Sequence, residues 1–226
     1  MKIKLAGIVL VLTMALPVFA QSKEDQRLDN SAKVFDEILS DPKGLPKSVL
    51  DKAECVLVFP SVKKVAVGIG GSYGRGALVC REGATMNGSW GAPAMYKLDQ
   101  GSLGVQLGST ATDFVLLVMN QKGVDQILNG KVKLGGNASA AAGPGAQATA
   151  YNAQAMNVDV LTYSRSKGLF AGVSLEGASM DGDSDANKSL YGKDMTVKEI
   201  VTGNTTPPAG SKSLTSVLDK ASPSRT

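Results

Sequence analysis

Apolar positions recur every three or four residues early in the chain and then give way to short apolar runs broken by glycine. This change of period predicts helices followed by a β-rich body. Over residues 25–40, Leu28, Ala32, Phe35 and Leu39 fall on one helical face with Ile38 beside them, and Pro42 with Gly44 ends the pattern. The opposite face sets Asp25, Asp29, Asp36 and Glu37 against Arg27 and Lys33. That balance has the wrong sign for lying on an anionic bilayer, so the helix is expected to pack into the core. Pro46 suits the first turn of a short helix running through Lys52.

From there the pattern reads as strands. Residues 55–59 form a continuous apolar run that Pro60 is expected to stop, and 65–69, 74–80, 94–98, 103–107 and 114–119 are further strands with Gly, Asn, Pro and Asp in the turns. Connections this short favour antiparallel hairpins. Residues 121–129 read as a brief helix ending at Gly130, and 131–136 resume strand character. Residues 137–150 are almost all Ala, Gly and Ser, and are expected to form an ordered extended segment. A hairpin is expected from 158–163 and 169–175 around Ser166, Lys167 and Gly168; residues 196–201 open with a Thr-x-x-Glu capping pattern and end at Gly203. Residues 205–212, with Pro207 and Pro208, read as a linker, and 214–220 as a short helix.

The fold class that follows is α+β: a single domain whose antiparallel, Gly-rich sheet is curled or closed like a barrel and packs with the N-terminal amphipathic helix and several short helices. The domain is expected over 21–203, with linker and tail over 204–226. Glycine punctuates three strand-like segments, 65–81, 101–119 and 168–177. It weakens an isolated strand, so its repetition points to tight coiling, bulges, or close approach of another backbone or a ligand.

Lys2 and Lys4 precede the apolar run 5–16, which is followed by Pro17, Val18, Phe19 and Ala20. This is the pattern of a signal peptide cut after Ala20, and the run is short for a membrane span. The mature chain is expected to be exported, to the periplasm or beyond. Loss of Lys2 and Lys4 lowers the formal charge from +4 to +2, and aromatic residues make up only 5%. A near-neutral chain with few stacking platforms argues against nucleic acid as a partner. In an oxidising compartment the two cysteines, Cys55 and Cys80, are expected to pair, the bridge joining strands with one apolar strand between them; two buried free thiols are the alternative.

The chain has no histidine, which excludes Ser-His-Asp and Cys-His activation and imidazole-bound zinc. Gly71 and Gly76 stand five apart, but Ala77 and Leu78 occupy the places of the phosphate-loop Lys and Ser/Thr, and no dinucleotide fingerprint fits, so no nucleotide or cofactor is expected. Asp181, Asp183 and Asp185 alternate as in a calcium loop, yet Ala186 and Gly192 stand where the turn glycine and bidentate glutamate belong; a solvated turn and helix start is the reading, with no metal. Lys63 and Lys64 are read as a turn between apolar runs, Arg75 as the next turn, and Arg165 and Lys167 as flanking a later hairpin. If these bends converge, they form a basic rim suited to a lipid headgroup.

The blocks Ala-Glu-Cys-Val-Leu-Val-Phe-Pro-Ser-Val-Lys-Lys (53–64), Gly-Gly-Ser-Tyr-Gly-Arg-Gly (70–76), Trp-Gly-Ala-Pro (90–93), Thr-Asp-Phe-Val-Leu-Leu-Val-Met-Asn (112–120), Tyr-Ser-Arg-Ser-Lys-Gly-Leu-Phe-Ala-Gly-Val-Ser-Leu-Glu-Gly (163–177) and Asp-Ala-Asn-Lys-Ser-Leu-Tyr-Gly (185–192) resemble the SYLF domain family. The resemblance runs from about Leu28 to Gly203. It implies a non-catalytic module that binds phospholipid, as found in bacterial exported proteins and in eukaryotic proteins of membrane traffic and cortical actin. The expected function is therefore binding of phospholipid or another anionic amphiphile at the cell envelope, through Lys63, Lys64, Arg75, Arg165 and Lys167. A periplasmic protein-interaction or scaffolding module, with an envelope protein as partner, is the alternative.

Overall fold

The computed structural model describes residues 21–42, 44–67, 69–103, 108–143, 157–166, 169–171 and 175–225. The expected signal peptide, Lys167, and parts of the strands expected at 103–107 and 169–175 and of the extended segment expected at 137–150 lie outside the described residues.

The helical period of the first segment produces α1 (Lys23–Ser40). Ser22 caps it by accepting from the Asp25 backbone, and Asp25 answers to the Ser22 backbone, a reciprocal capping box. Its apolar face is core: Leu28, Phe35 and Ile38 are fully buried. The short helix α2 (Lys47–Leu50) follows, with Pro46 as its N-cap rather than in its first turn and its end two residues short of Lys52.

The sheet is built from β1 (Cys55–Val67), β2 (Ile69–Cys80), β3 (Ala94–Leu103), β4 (Gly108–Val118), β5 (Val132–Lys133), β6 (Ala140–Ala142), β7 (Val160–Ser166), β8 (Leu169–Ala171) and β9 (Ser179–Gly182). Its order is β5-β9-β3-β2-β1-β4-β7-β6, with β8 also on β7. Among the described residues the path is open and curled rather than closed. All pairings are antiparallel except β6 with β7. Between and after the strands lie α3 (Gln121–Leu128), α4 (Ser184–Tyr191), α5 (Val197–Thr202) and α6 (Lys212–Ala221).

The continuous apolar runs reflect a sheet covered on both faces. On β1, Val56 and Val58 face one core with Leu28, Phe35, Val49, Leu214 and Leu218, while Cys55, Leu57 and Phe59 face a second core with Val124, Ile127 and Ile200. The first core carries α1, α2, α4 and α6; the second carries α3 and α5.

Pro60 does not stop the strand. It sits at a one-residue bulge, where five steps of β1 from Val58 to Lys63 oppose four of β2 from Ala77 to Tyr73. A proline has no N–H for the ladder and is tolerated in a central strand only at such an irregularity. Ser61, at φ 51°, absorbs the bend. Two expected strands, 55–59 and 65–69, thereby become one long strand through Val67, and the strand expected at 74–80 extends back to Ile69 as β2. Cys55 and Cys80 are consequently direct cross-strand partners on neighbouring strands, with no strand between them, and they form a disulfide of S–S 2.06 Å.

Two glycines of β2, Gly74 and Gly76, relieve crowding. A Cβ on Gly74 would lie 2.6 Å from Val62 Cγ2, and one on Gly76 would overlap the Val58 carbonyl and press on the Phe59 ring at 2.8 Å. Gly101 of β3 by contrast has nothing within 4 Å of the position a Cβ would take.

The segment read as linker and tail is built into this body. Ser211 is buried, α6 sets Leu214 and Leu218 against α1, and the chain beyond is gripped by Arg81. That side chain, 1% exposed, donates to the carbonyls of Ala53 (3.3 Å), Gly88 (3.3 Å), Pro223 (2.9 Å) and Ser222 (3.2 Å) and to Ser222 Oγ (2.6 Å). Its guanidinium lies 4.3 Å from the centre of the Trp90 ring. Every N–H of the buried cation thus finds an acceptor or the ring face.

Candidate functional site

The bulge at Pro60 and Ser61 decides where the basic residues go. Before it, even-numbered residues of β1 face α1; after it Val62 belongs to the opposite core and Lys63 faces α1. A single inserted residue exchanges the two faces of a strand. On β2, Tyr73 and Arg75 alternate with Gly74 and Gly76 and share the face of Ala77 and Val79. Lys63 is paired in register with Tyr73.

These side chains meet the N-terminal half of α1 across a cleft of roughly 340 Å³, walled by Lys23, Gln26, Arg27 and Asn30 on one side and by Pro60, Ser61, Lys63, Tyr73, Gly74 and Arg75 on the other. Its lining holds four cations and no carboxylate. Lys23 and Lys63 have no ion-pair partner among the described residues. Arg27 rests its Nη1 on Met95 Sδ at 3.9 Å. Tyr73, 45% exposed, is the single large apolar side chain at that level of exposure among the described residues, and it stands at the cleft rim.

Arg75 is the most constrained of the four. Its Nε donates to the Tyr73 hydroxyl at 2.5 Å and lies 3.1 Å from Asp183 Oδ2. The Tyr73 hydrogen bond holds its pKa above the ordinary guanidinium range; burial opposes this and the Asp183 charge adds to it. Asp183 itself is 3% exposed and caps α4 through the Ala186 N–H. The acidic run at 181–185 is therefore not simply a solvated turn, because its middle carboxylate is buried under an arginine. No group of metal-ligating side chains occurs among the described residues.

The expected basic rim is thus only partly assembled. Lys63 and Arg75 come together, but in the middle of β1 and β2 rather than in turns. Alternation sends Lys64 to the other face of the sheet. Arg165, on β7, is committed to Asp113 (Nη2 to Oδ2 2.8 Å, Nε to Oδ2 3.1 Å) and to Glu37 of α1. Two carboxylates neutralise it, so it adds no free charge to the cleft. Lys23, Arg27 and Tyr73 were not singled out from the sequence as binding residues. The helical spacing of Lys23 and Arg27 put them on one face of α1, yet nothing local announced that this face would meet β1 and β2.

Chemically, the cleft offers fixed positive charge and guanidinium forks beside an amphipathic ring, without a paired nucleophile and base. It is equipped to hold an anion. Among the described residues, no helix is long and apolar enough to cross a membrane.

Comparison with known proteins places the chain in a family. The profile of the family described as "Ysc84: Las17-binding protein actin regulator" matches residues 99–221. An SH3 domain-containing protein of Schizosaccharomyces pombe is 38% identical over 179 residues, covering 77% of this chain and 41% of its own length. LAS seventeen-binding protein 3 of Saccharomyces cerevisiae is 34% identical, over 77% of this chain and 38% of its own. SH3 domain-containing YSC84-like protein 1 of Homo sapiens is 32% identical, over 78% of this chain and 51% of its own. The chain spans about half or less of the length of these curated relatives. Together with the sequence blocks that first suggested it, these matches make the chain a member of the Ysc84 family, the SYLF family of binding modules.

Proposed function

We propose that this protein is a non-catalytic module that binds an anionic amphiphile, a phospholipid at a membrane surface, in the cleft between α1 and the β1–β2 ribbon. The observation that carries the reading is the convergence of Lys23, Arg27, Lys63 and Arg75 on one cleft with Tyr73 at its rim. Cations hold phosphate, and a half-exposed tyrosine suits the boundary between headgroup and acyl chain. The signal-peptide pattern of residues 1–20 and the Cys55–Cys80 disulfide support work outside the cytoplasm, in the periplasm or beyond.

The two adjacent lysines supply the test. Lys63 lines the cleft and Lys64 does not, so Lys63→Glu is expected to weaken co-sedimentation with phosphatidylglycerol-containing vesicles, and Lys64→Glu to weaken it less. The Lys63 effect should shrink as salt rises, because the attraction is screened. Equal, salt-independent binding by wild type and both variants rules the reading out.

A protein-interaction module is the second reading. Its support is the printed description of the family and of the yeast relative as Las17-binding. A stable envelope protein co-purifying with lipid-free chain, and lost on Lys63→Glu, favours it over the first.

A further inference from the structure

Asp183 is an unusual neighbour for a cationic cleft. Its side chain is 5% exposed, against 44% for the Arg75 side chain that it faces. It is also rigidly placed: Oδ1 caps α4 through the Ala186 N–H, and the Asp183 backbone N–H donates to the Met95 carbonyl at 2.9 Å. One turn on, Asn187 accepts from the Met95 N–H at 2.7 Å and donates to its carbonyl at 3.2 Å, stitching α4 to β3. The other oxygen, Oδ2, receives no hydrogen bond among the described residues and has the Arg75 Nε 3.1 Å away. A buried carboxylate oxygen in this position is stabilised only by holding its cation close.

On the arginine side, Nε is taken up by the Tyr73 hydroxyl and the Asp183 charge, and the guanidinium carbon lies 6.0 Å from the Tyr73 ring centre. Neither Nη group has a hydrogen-bond or ion-pair partner among the described residues, and the Asp185 charge acts on the guanidinium from farther away. A guanidinium fixed at one edge presents the remaining donors as a fork, the arrangement that recognises an anion bidentately.

We propose that Asp183 is a positioning residue for the cleft, fixing the Arg75 guanidinium so that its Nη groups meet an anion held jointly with Lys63. This rests on the cleft being the binding site argued above. The proposal makes a prediction of unusual sign. Simple electrostatics says that removing a carboxylate beside four cations strengthens anion binding. Loss of preorganisation weakens it.

The test uses Asp183→Asn in the full chain, since asparagine caps a helix as well as aspartate does, with Asp183→Ser as a second uncharged capping variant. Binding is read by co-sedimentation with phosphatidylcholine vesicles containing phosphatidylglycerol, and by titration of inorganic pyrophosphate followed at the arginine side-chain N–H resonances. Both variants are expected to bind about fivefold more weakly than wild type, and Asp183→Asn to cause no further loss in an Arg75→Ala background. Unchanged or tighter binding by the Asp183 variants, or a full additional loss without Arg75, overturns the proposal. If vesicles fail to distinguish wild type from Lys63→Glu, the lipid reading falls and pyrophosphate decides: fivefold weakening upholds the role of Asp183, whereas equal or absent binding removes it.

Discussion

The Asp113 carboxylate accepts the Ser61 backbone N–H at 2.8 Å, and this bond holds the bulge that turns Lys63 toward the helical layer. Pro60 can give nothing to the ladder, and Ser61 sits at positive φ, so the bend depends on a side chain to satisfy its backbone. Asp113 of β4 is well placed, because its other oxygen pairs with Arg165 of β7, which continues to Glu37 of α1. One carboxylate thus ties three strands to the helix that forms the far wall of the cleft.

Asp113→Ala is therefore expected to cost about 1–2 kcal/mol in urea unfolding, since it removes the acceptor of the Ser61 N–H and one of the two carboxylates that hold Arg165. Asp113→Asn keeps an acceptor for Ser61 and is expected to cost about 1 kcal/mol. Equal unfolding midpoints for wild type and the alanine variant would show that the bulge needs no such support.

Much of this architecture was legible along the chain. The spacing of Leu28, Phe35 and Ile38 announced α1 and its buried face, and Thr196 with Glu199 announced the reciprocal cap that opens α5. The apolar runs 55–59 and 114–119 signalled strands, but that both faces of the sheet are covered follows only from the two cores on either side of it. Pro60 was the misleading residue, because a proline that ends a strand and one that bulges it look the same without knowledge of the partner strands. The position of Lys63 inherits that ambiguity: one extra residue decides which face it takes. The meeting of Lys63 and Arg75 with Lys23 and Arg27 was out of reach for a different reason, since it depends on how α1 crosses the sheet. Nor did any local signal mark Arg81, whose partners at Ser222 and Pro223 are more than a hundred residues away.

Two glycines separate the roles that glycine plays in this sheet. Gly76→Ala would drive a methyl group into the Val58 carbonyl and the Phe59 ring, so a loss of about 2–3 kcal/mol is expected from overpacking. Gly101→Ala meets open space at a backbone without positive φ, and is expected to be neutral or to gain up to about 0.5 kcal/mol by restricting the unfolded chain. Thermal melts of the two variants decide this. Similar losses at both sites would mean that glycine is needed for something other than close packing.

The Cys55–Cys80 bridge closes a segment of sequence separation 25 between the paired ends of β1 and β2. Loop-closure entropy puts its contribution at about 3.5 kcal/mol. Replacing both residues with serine is expected to lower the unfolding free energy by about that amount, with somewhat more from two hydroxyls placed in the core. Thiol titration of the unfolded, unreduced protein should find no free sulfhydryl; two titratable thiols would refute the bridge in solution.

Asp159 makes the stability of the sheet edge depend on pH. This buried carboxylate accepts the Ser139 N–H at 2.9 Å, the Ser139 hydroxyl at 2.9 Å and the Lys122 ammonium at 3.0 Å, joining α3 to β7 and the start of β6. Burial on its own raises its pKa, but the hydrogen bonds from Ser139, Lys122 and Asn120 outweigh it and leave the folded value below the ordinary carboxylate range. The unfolded chain takes up this proton near pH ~4, and the folded protein only at lower pH. The contribution is therefore fully present above the unfolded value and drains away as pH falls through the folded one. Urea unfolding of wild type and Asp159→Asn should show a gap in stability that is constant near neutrality and narrows steadily below about pH 4. A gap that keeps its width into strong acid would mean that the ionised carboxylate is not what holds Ser139 and Lys122 in place.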